Sequence, residues 1–222
     1  MTENQFEQLA NDLQALAKII PLNWGGVQND GTDRQINMFQ IHTFSELERQ
    51  TASLSENSRN YFRRRWFLWK SAQCDEYIFC LNNNVSPNPN FKDQSYDIEF
   101  NKNSSLRFDV KGTVIPRKFR TKINEIIDDP SEMVKFFYEE QSKGVRNNNQ
   151  NRLFIVHHSY RNQEREMYLR CHWAFKKNVY KAYSEKVNLS SKFINYQSVK
   201  ADVIFIIENL DKTITYSFFA VN

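Results

Sequence analysis

The segment "SYDIEFNKNSSLRFDVKGT", residues 95–113, decides the fold, because its two halves alternate strictly between apolar and charged side chains. The apolar positions are Tyr96, Ile98, Phe100, Leu106, Phe108 and Val110, and the charged positions are Asp97, Glu99, Arg107, Asp109 and Lys111. Successive side chains of a strand point to opposite faces of its sheet. The alternation therefore predicts a β-hairpin with one buried face and one charged face.

The pairing register of this hairpin follows from the position of its turn. A turn centred on Asn103 would place Asp97 opposite Asp109 and Glu99 opposite Arg107, whereas a shift by two residues would put Glu99 beside Asp109. Like charges directly opposite each other destabilise a sheet. A cation bound between the two aspartates would offset that repulsion.

Carboxylates with no thiol beside them suit a hard cation, so we expect Mg²⁺ or Mn²⁺ at Asp97 and Asp109. The Val110 carbonyl would complete the ligand set, and Gly112 would let another backbone approach closely. Lys111, two residues beyond Asp109 on the same face, would hold an attacking water or neutralise charge on a phosphate. Basic residues that would grip phosphates follow in the chain: Arg117, Lys118, Arg120 and Lys122.

The charge of the chain is unevenly distributed. The net charge is +4 over 222 residues, yet residues 1–60 hold eight acids and four bases, which leaves +8 for the remainder. A basic body is compatible with a polyanionic partner such as DNA, and equally with an ordinary basic soluble protein. The hydrophobic content of 40% is enough to bury a core.

The sequence also predicts a compartment. The three cysteines, Cys74, Cys80 and Cys171, form no Cys-x-x-Cys pair, which favours a reducing environment over a disulfide framework. The first residues lack the pattern of a signal peptide, and no run of about eighteen apolar residues occurs. We therefore expect a cytoplasmic protein with no membrane partner.

Hydrophobic periodicity and turn residues predict the remaining elements. Helices are predicted at 4–19, 57–82, 131–143 and 173–186, and a short helix is predicted to begin at the Ser-x-x-Glu capping box 45–48. Strands are predicted at 35–44, 152–158, 166–173, 201–209 and 213–221, and a loop at 82–90. The path from the second hairpin strand through helix 131–143 to strand 152–158 is a βαβ unit, whose strands are parallel. The chain is thus predicted to be an α/β (α+β) protein with a mixed sheet flanked by helices.

Two basic runs and a histidine pair have competing interpretations. Arg63, Arg64 and Arg65 near the start of helix 57–82, and Lys176, Lys177 and Lys181 on helix 173–186, are either solvated helix faces or contacts to nucleic acid. His157 and His158 are adjacent on a strand, so their rings should point to opposite faces and should not chelate one metal ion.

The arrangement of an acid on one strand and Asp-x-Lys on the next, with helices before and after, resembles the PD-(D/E)xK nuclease superfamily, which has the restriction-endonuclease-like fold. "DVK" at 109–111 is the only acid-x-Lys triplet in the chain, and the resemblance covers about residues 57–158. Members often carry proline before the first aspartate, whereas this chain has Tyr96.

The resemblance implies a function and a site. Asp97 and Asp109 would bind Mg²⁺ and Lys111 would assist the attacking water. Some members add an acid from the preceding helix, for which Glu76 or Asp75 is available. A Mg²⁺-dependent, restriction-type DNA endonuclease is therefore expected, as a single domain with an N-terminal elaboration 1–56, a catalytic core 57–158 and C-terminal elements 159–222. Restriction endonucleases often work as homodimers, because two strands must be cut.

Two other functions compete with the nuclease. One is a nucleic-acid-binding module on the same fold without catalysis. The other is a structural or protein-interaction domain whose charged hairpin face is simply solvated. Both nucleic-acid functions predict binding that weakens steeply with salt, and the third predicts none.

Overall fold

The computed structural model describes residues 1–21, 31–90, 93, 95–140 and 150–221. The chain divides into two compact units, residues 1–74 and 75–222, each described below by itself. The boundary lies within one long helix. The subdivision expected at residues 56 and 158 remains a prediction.

The first unit is helical. It contains α1 (Glu3–Leu16), α2 (Phe44–Thr51) and most of α3 (Glu56–Phe79). Helix α1 begins with a capping box, in which the Gln5 N–H donates to Thr2 Oγ1 and the Thr2 N–H donates to Gln5 Oε1. Such reciprocal bonds satisfy two backbone donors that a helix start leaves free. The helices predicted at 4–19 and 57–82 are confirmed as α1 and α3, with slightly shifted ends.

The strand predicted at 35–44 is wrong. Residues Met38–Gln40 form a 3-10 turn, and helix α2 begins at Phe44. The N-cap is Thr43, whose side chain accepts a hydrogen bond from the Glu46 N–H, so Ser45 does not start the helix as the capping-box pattern suggested. Phe39, an apolar residue of this segment, is 59% exposed rather than part of a core.

The second unit is built on a mixed sheet. The described strands are β1 (Val85–Pro87), β2 (Ile98–Phe100), β3 (Arg107–Val114), β4 (Arg152–Ser159), β5 (Ile194–Tyr196), β6 (Val199–Glu208) and β7 (Ile214–Phe218). Their order is β1-β2-β3-β4-β6-β5, with β7 also paired to β6. Strands β3, β4 and β6 are parallel to one another, and the other pairings are antiparallel. The predicted α/β class and mixed sheet are confirmed.

Helices cover the sheet. The described helices of this unit are α4 (Ile123–Asp128), α5 (Ser131–Glu139), α6 (Arg165–Arg170) and α7 (Trp173–Lys186). Apolar residues of α4 and α5 pack against alternate residues of β4 and β6, including Phe154, Val156 and Phe205. A separate aromatic group joins the last turn of α3 to α7, where the Phe79 and Tyr180 rings stack with centroids 4.0 Å apart. The βαβ unit from β3 through α5 to β4 is confirmed.

Several predictions in this unit need correction. Residues 166–173 were expected to form a strand, but Arg165–Arg170 is helix α6. The predicted loop 82–90 contains β1, the predicted helix 131–143 ends at Glu139, and β5 and α4 were not foreseen. Helix 173–186 has the predicted bounds. None of the described helices combines the length and the apolar character needed to cross a bilayer.

Candidate active site

The hairpin pairs in the register that the turn at Asn103 predicted. Ile98 faces Phe108 and Glu99 faces Arg107, and the Asp97 N–H donates to the Phe108 carbonyl at 2.9 Å. This hydrogen bond is one residue out of the register of the two paired positions, so the expected placement of Asp97 directly opposite Asp109 stays a prediction. The alternative register, with Glu99 beside Asp109, is wrong, because Glu99 forms an ion pair with Arg107.

Asp97 is held against β3 by a backbone group. Its Oδ2 accepts a 2.7 Å hydrogen bond from the Val110 N–H. Burial, and then the negative charge of Asp109, raises the pKa of Asp97 to about 6, although the Lys111 ammonium and the Val110 N–H act in the opposite direction. Two carboxylates close enough to disturb each other in this way are the central feature of the site.

Asp109 lies between two cations. Only 5% of the residue is exposed, and its carboxylate contacts the Lys111 ammonium on one oxygen and Arg152 Nε at 3.6 Å on the other. Its backbone N–H donates to the Asn151 carbonyl at 2.9 Å. Asp109 and Lys111 therefore lie side by side, as their spacing on one strand face predicts.

Glu76, near the end of α3, belongs to the same charge cluster. Its pKa is raised to about 8, first by burial and then by the negative charge of Asp97, with smaller contributions from Asp75 and Asp109 and an opposing one from Lys111. The sequence could not choose between Asp75 and Glu76 as the helix acid. Asp75 instead contacts Lys176 and Tyr180, so Glu76 is the helix acid that interacts with the hairpin carboxylates.

The donor set suits a hard divalent cation, although its present arrangement is not that of a complete metal site. Asp97, Asp109 and Glu76 offer carboxylate oxygens, the ligands that Mg²⁺ prefers, and their mutual repulsion is what a cation would relieve. In the part of the chain that the structure describes, no group of three or more His, Cys, Asp or Glu residues is arranged to hold a metal ion. The Val110 N–H anchors Asp97, and the role of the Val110 carbonyl as a ligand remains a prediction.

Arg152 was not identified from the sequence as part of the site. It begins β4, and the parallel pairing of β3 with β4 sets it directly beside Asp109. Its guanidinium also lies over the Tyr138 ring, 4.6 Å from the centroid, and only 3% of the residue is exposed. The sequence predicted the βαβ unit, and with it that the strand beginning at Arg152 runs parallel to the second hairpin strand. It did not predict which residues of the two strands lie side by side.

The basic segment after β3 divides into engaged and exposed residues. Arg120 donates two 2.8 Å hydrogen bonds to the buried Glu166 carboxylate, and Lys122 pairs with Glu132 at 2.6 Å. Arg117 and Lys118 are exposed, with the Lys118 ammonium 4.0 Å from the centroid of the Phe136 ring. Of the four predicted phosphate contacts, Arg117 and Lys118 are therefore the more accessible.

In the first unit, the three consecutive arginines are all engaged. Arg63 pairs with Glu48, Arg64 donates to the Pro21 carbonyl at 2.7 Å, and Arg65 pairs with Asp33 at 3.2 Å. The expectation of a solvated arginine face is wrong, because only 14% of the Arg63 side chain and 18% of the Arg65 side chain is exposed. A contact with nucleic acid would first have to break these interactions.

The histidine pair points to separate partners, as its strand position predicts. His157 Nδ1 lies 3.1 Å from the Thr113 carbonyl oxygen, and His158 Nδ1 lies 3.4 Å from Glu166 Oε1. Burial, followed by the charges of Lys176 and Arg170, holds the pKa of His157 well below its usual range. Lys176 itself is fully buried, so it is neither a solvated lysine nor a surface contact for nucleic acid.

Comparison with known proteins adds no relative: no family model, no curated protein and no solved structure matches the chain. The resemblance to PD-(D/E)xK nucleases therefore depends on the hairpin residues alone.

Proposed function

We propose that the protein is a Mg²⁺-dependent endonuclease of the restriction type, which hydrolyses phosphodiester bonds in DNA. The observation that carries the proposal is the closeness of the Asp97 and Asp109 carboxylates, which affects the pKa of Asp97, together with the contact of Lys111 with Asp109. A carboxylate pair next to a partly exposed lysine is the set of groups that metal-assisted hydrolysis needs.

Each residue of the cluster has a role in this proposal. Asp97 and Asp109 would hold the metal ion, with Glu76 as the third acid. Bound Mg²⁺ would supply Lewis-acid polarisation of the phosphate and a more acidic water. Lys111 would orient that water and stabilise negative charge that develops on the phosphate. The Val110 N–H would keep the Asp97 carboxylate aimed at Asp109.

Arg117 and Lys118 are the residues we assign to phosphate contacts outside the reaction centre. Both are exposed, while Arg120 and Lys122 are committed to carboxylates of the same unit. Such contacts raise affinity without reading sequence. They also make binding depend on salt, since each neutralised phosphate releases counterions.

The test is cleavage of a set of plasmid and phage DNAs with Mg²⁺ or Mn²⁺, beside EDTA. Asp109→Asn and Lys111→Met should abolish cleavage, whereas Glu99→Gln should retain it. Glu99 is a matched control because it is a carboxylate on the same strand face that pairs with Arg107. Discrete fragments would support a sequence-specific enzyme, and a smear lost in the same variants would support a nonspecific one. Equal cleavage by wild type and Asp109→Asn would overturn the proposal.

A nucleic-acid-binding module without catalysis is the second candidate. The observation in its favour is that Lys111 and Asp109 already satisfy each other, and that no three-residue metal group occurs among the described residues. It predicts DNA binding that is unaffected by EDTA, Asp109→Asn or Lys111→Met, and no cleavage under any condition.

The homodimer is a prediction of its own. Analytical ultracentrifugation of the protein with and without DNA would decide whether it is a homodimer in either state.

A further inference from the structure

A second group of charges lies buried behind the candidate site. The Lys176 ammonium and the Tyr180 hydroxyl donate hydrogen bonds of 2.7 Å and 2.8 Å to Asp75 Oδ1, and Asp75 and Lys176 are 2% and 0% exposed. Arg170, 6% exposed, belongs to the group because, in addition to burial, its charge lowers the pKa of Lys176, and because its guanidinium and the Asp75 carboxylate both lie next to Gly112. We call Asp75, Arg170 and Lys176 the buried charge cluster.

Gly112 is where β3 meets this cluster. A Cβ atom on Gly112 would lie 2.9 Å from Arg170 Nη1 and 3.7 Å from Asp75 Oδ2. The first distance is too short for a methyl group, so a side chain here would have to displace the guanidinium. The absence of a side chain at Gly112 thus allows Arg170 to lie directly against the strand.

A contribution to the stability of the fold does not explain why these charges are buried. Buried ion pairs lose their hydration, and well-packed apolar residues in their place are often equally or more stabilising. The hydrogen bonds of the cluster do fix geometry, because Asp75 has two donors on α7. A rigid buried network of this kind can specify the relative placement of the elements it joins.

Two of the elements that border the cluster, α3 and β3, carry proposed active-site residues. Asp75 immediately precedes Glu76 in α3, and Gly112 immediately follows Lys111 in β3. We propose that Arg170, Asp75 and Lys176 are positioning residues, which set Glu76 and Lys111 relative to the hairpin carboxylates through the contact of Arg170 with Gly112. This inference rests on the proposed nuclease function.

The direct test is Gly112→Ala, with Gly31→Ala as the matched control. A Cβ on Gly31 would meet nothing within 4 Å, so the two variants add the same methyl group in tight and open surroundings. A misplacement of reacting groups by about 1 Å can cost about a hundredfold in rate. We expect Gly112→Ala to lower kcat about tenfold or more, with KM and the DNA affinity in EDTA within about twofold of wild type.

A double-mutant cycle with Arg170→Met separates positioning from general damage to the fold. If the added methyl acts by displacing the guanidinium, Gly112→Ala should have little further effect on kcat once Arg170 has been replaced. Mn²⁺ affinity of the protein alone, by isothermal titration calorimetry, gives a readout without turnover. It should weaken several-fold in Gly112→Ala and not in Gly31→Ala.

The outcomes distinguish the inference from the function on which it rests. Wild-type cleavage with unchanged kcat and Mn²⁺ affinity in Gly112→Ala would overturn the positioning role and leave the nuclease intact. Additive effects in the double mutant, or a fall in melting temperature that accounts for the lost activity, would also overturn it. A wild-type protein that cleaves no DNA would overturn the nuclease and the positioning role together.

Discussion

The Val110 N–H donates a 2.7 Å hydrogen bond to the Asp97 carboxylate. Regular pairing of β2 with β3 ends at Ile98, so this carboxylate satisfies a backbone donor of β3 just beyond the paired segment. The bond holds an acid beside Asp109, and burial followed by repulsion between the two carboxylates raises the pKa of Asp97. Two repelling carboxylates held together at the end of a hairpin are the basis of the proposed function.

Asp97→Asn and Asp97→Ala should distinguish the role of Asp97 in cleavage from its role in stability. Asparagine keeps an oxygen that accepts from Val110 and removes the charge, so its free energy of unfolding at pH 8 should equal or exceed that of wild type. Alanine leaves the N–H without its acceptor and should cost about 1–3 kcal/mol. Cleavage should be lost in both. Urea unfolding in EDTA beside a cleavage assay would check this, and activity in Asp97→Asn near wild-type level would contradict it.

Arg152→Met should destabilise the second unit. It removes a buried cation from Asp109 and its contact with the Tyr138 ring, while Lys111 still pairs with the aspartate. Breaking a buried ion pair costs about 3–5 kcal/mol, and the remaining lysine should reduce that cost to about 2 kcal/mol. Denaturant unfolding measures the change. Lys135→Met, at an exposed pair with Glu139, serves as a control that should change stability by less than about 0.5 kcal/mol.

Asp202 should make the protein less stable as the pH rises from about 4 to about 6. It is fully buried, and burial raises its pKa to about 6, although the N–H groups of Ala220 and Val203 and the Tyr183 hydroxyl oppose the shift. The folded state therefore binds the proton more tightly than the unfolded state, so stability from this group is present at low pH and lost as the carboxyl ionises. The loss should be on the order of 3 kcal/mol.

Asp202→Asn should remove that part of the pH dependence, which unfolding curves at several pH values would show. Asp211→Asn is the control, because hydrogen bonds from Thr213 lower the pKa of the exposed Asp211 and its contribution has the opposite sign. An unchanged pH profile in Asp202→Asn would contradict the assignment.

The two exposed basic residues after β3 should differ from Arg120, which is partly buried against Glu166. Arg117→Gln and Lys118→Gln should each reduce the slope of log affinity for DNA against log salt by about 1, with stability unchanged. Arg120→Gln should instead destabilise the fold, because Glu166 is 3% exposed and loses a two-bond partner. Fluorescence anisotropy across a salt series, beside thermal melting, tests both. A salt slope that only Arg120→Gln changes would reverse the assignment.

The sequence predicted the hairpin well because its strict alternation fixed which face is buried, although it left two registers open. Helix 173–186 was predicted equally well from its apolar spacing. The same logic failed at residues 166–173, where apolar Met167, Leu169 and Cys171 alternate as in a strand. The buried face of α6 also contains Glu166 and Arg170, whose charges made them look exposed. Helical spacing appears only when these two are counted as buried.

The sequence could not predict which charged residues pair with one another, because the partners are far apart in the chain. Lys176 and Asp75 are 101 positions apart, and Arg120 and Glu166 are 46 apart, so only the fold brings them together. Asp97, Asp109 and Lys111 could be associated because one hairpin contains all three. The sequence offered both Asp75 and Glu76 as the helix acid. It could not decide between them, because the decision depends on the contacts of Asp75 with α7.

The most direct test of the central claim is single-turnover cleavage of plasmid DNA by wild type, Asp109→Asn and Glu99→Gln across a Mg²⁺ titration. We expect Mg²⁺-dependent cleavage by wild type and Glu99→Gln, abolished by EDTA, and a rate at least about a hundredfold lower for Asp109→Asn at every Mg²⁺ concentration. Cleavage that persists in Asp109→Asn or in EDTA, or none in any protein while all three bind DNA equally, would contradict it.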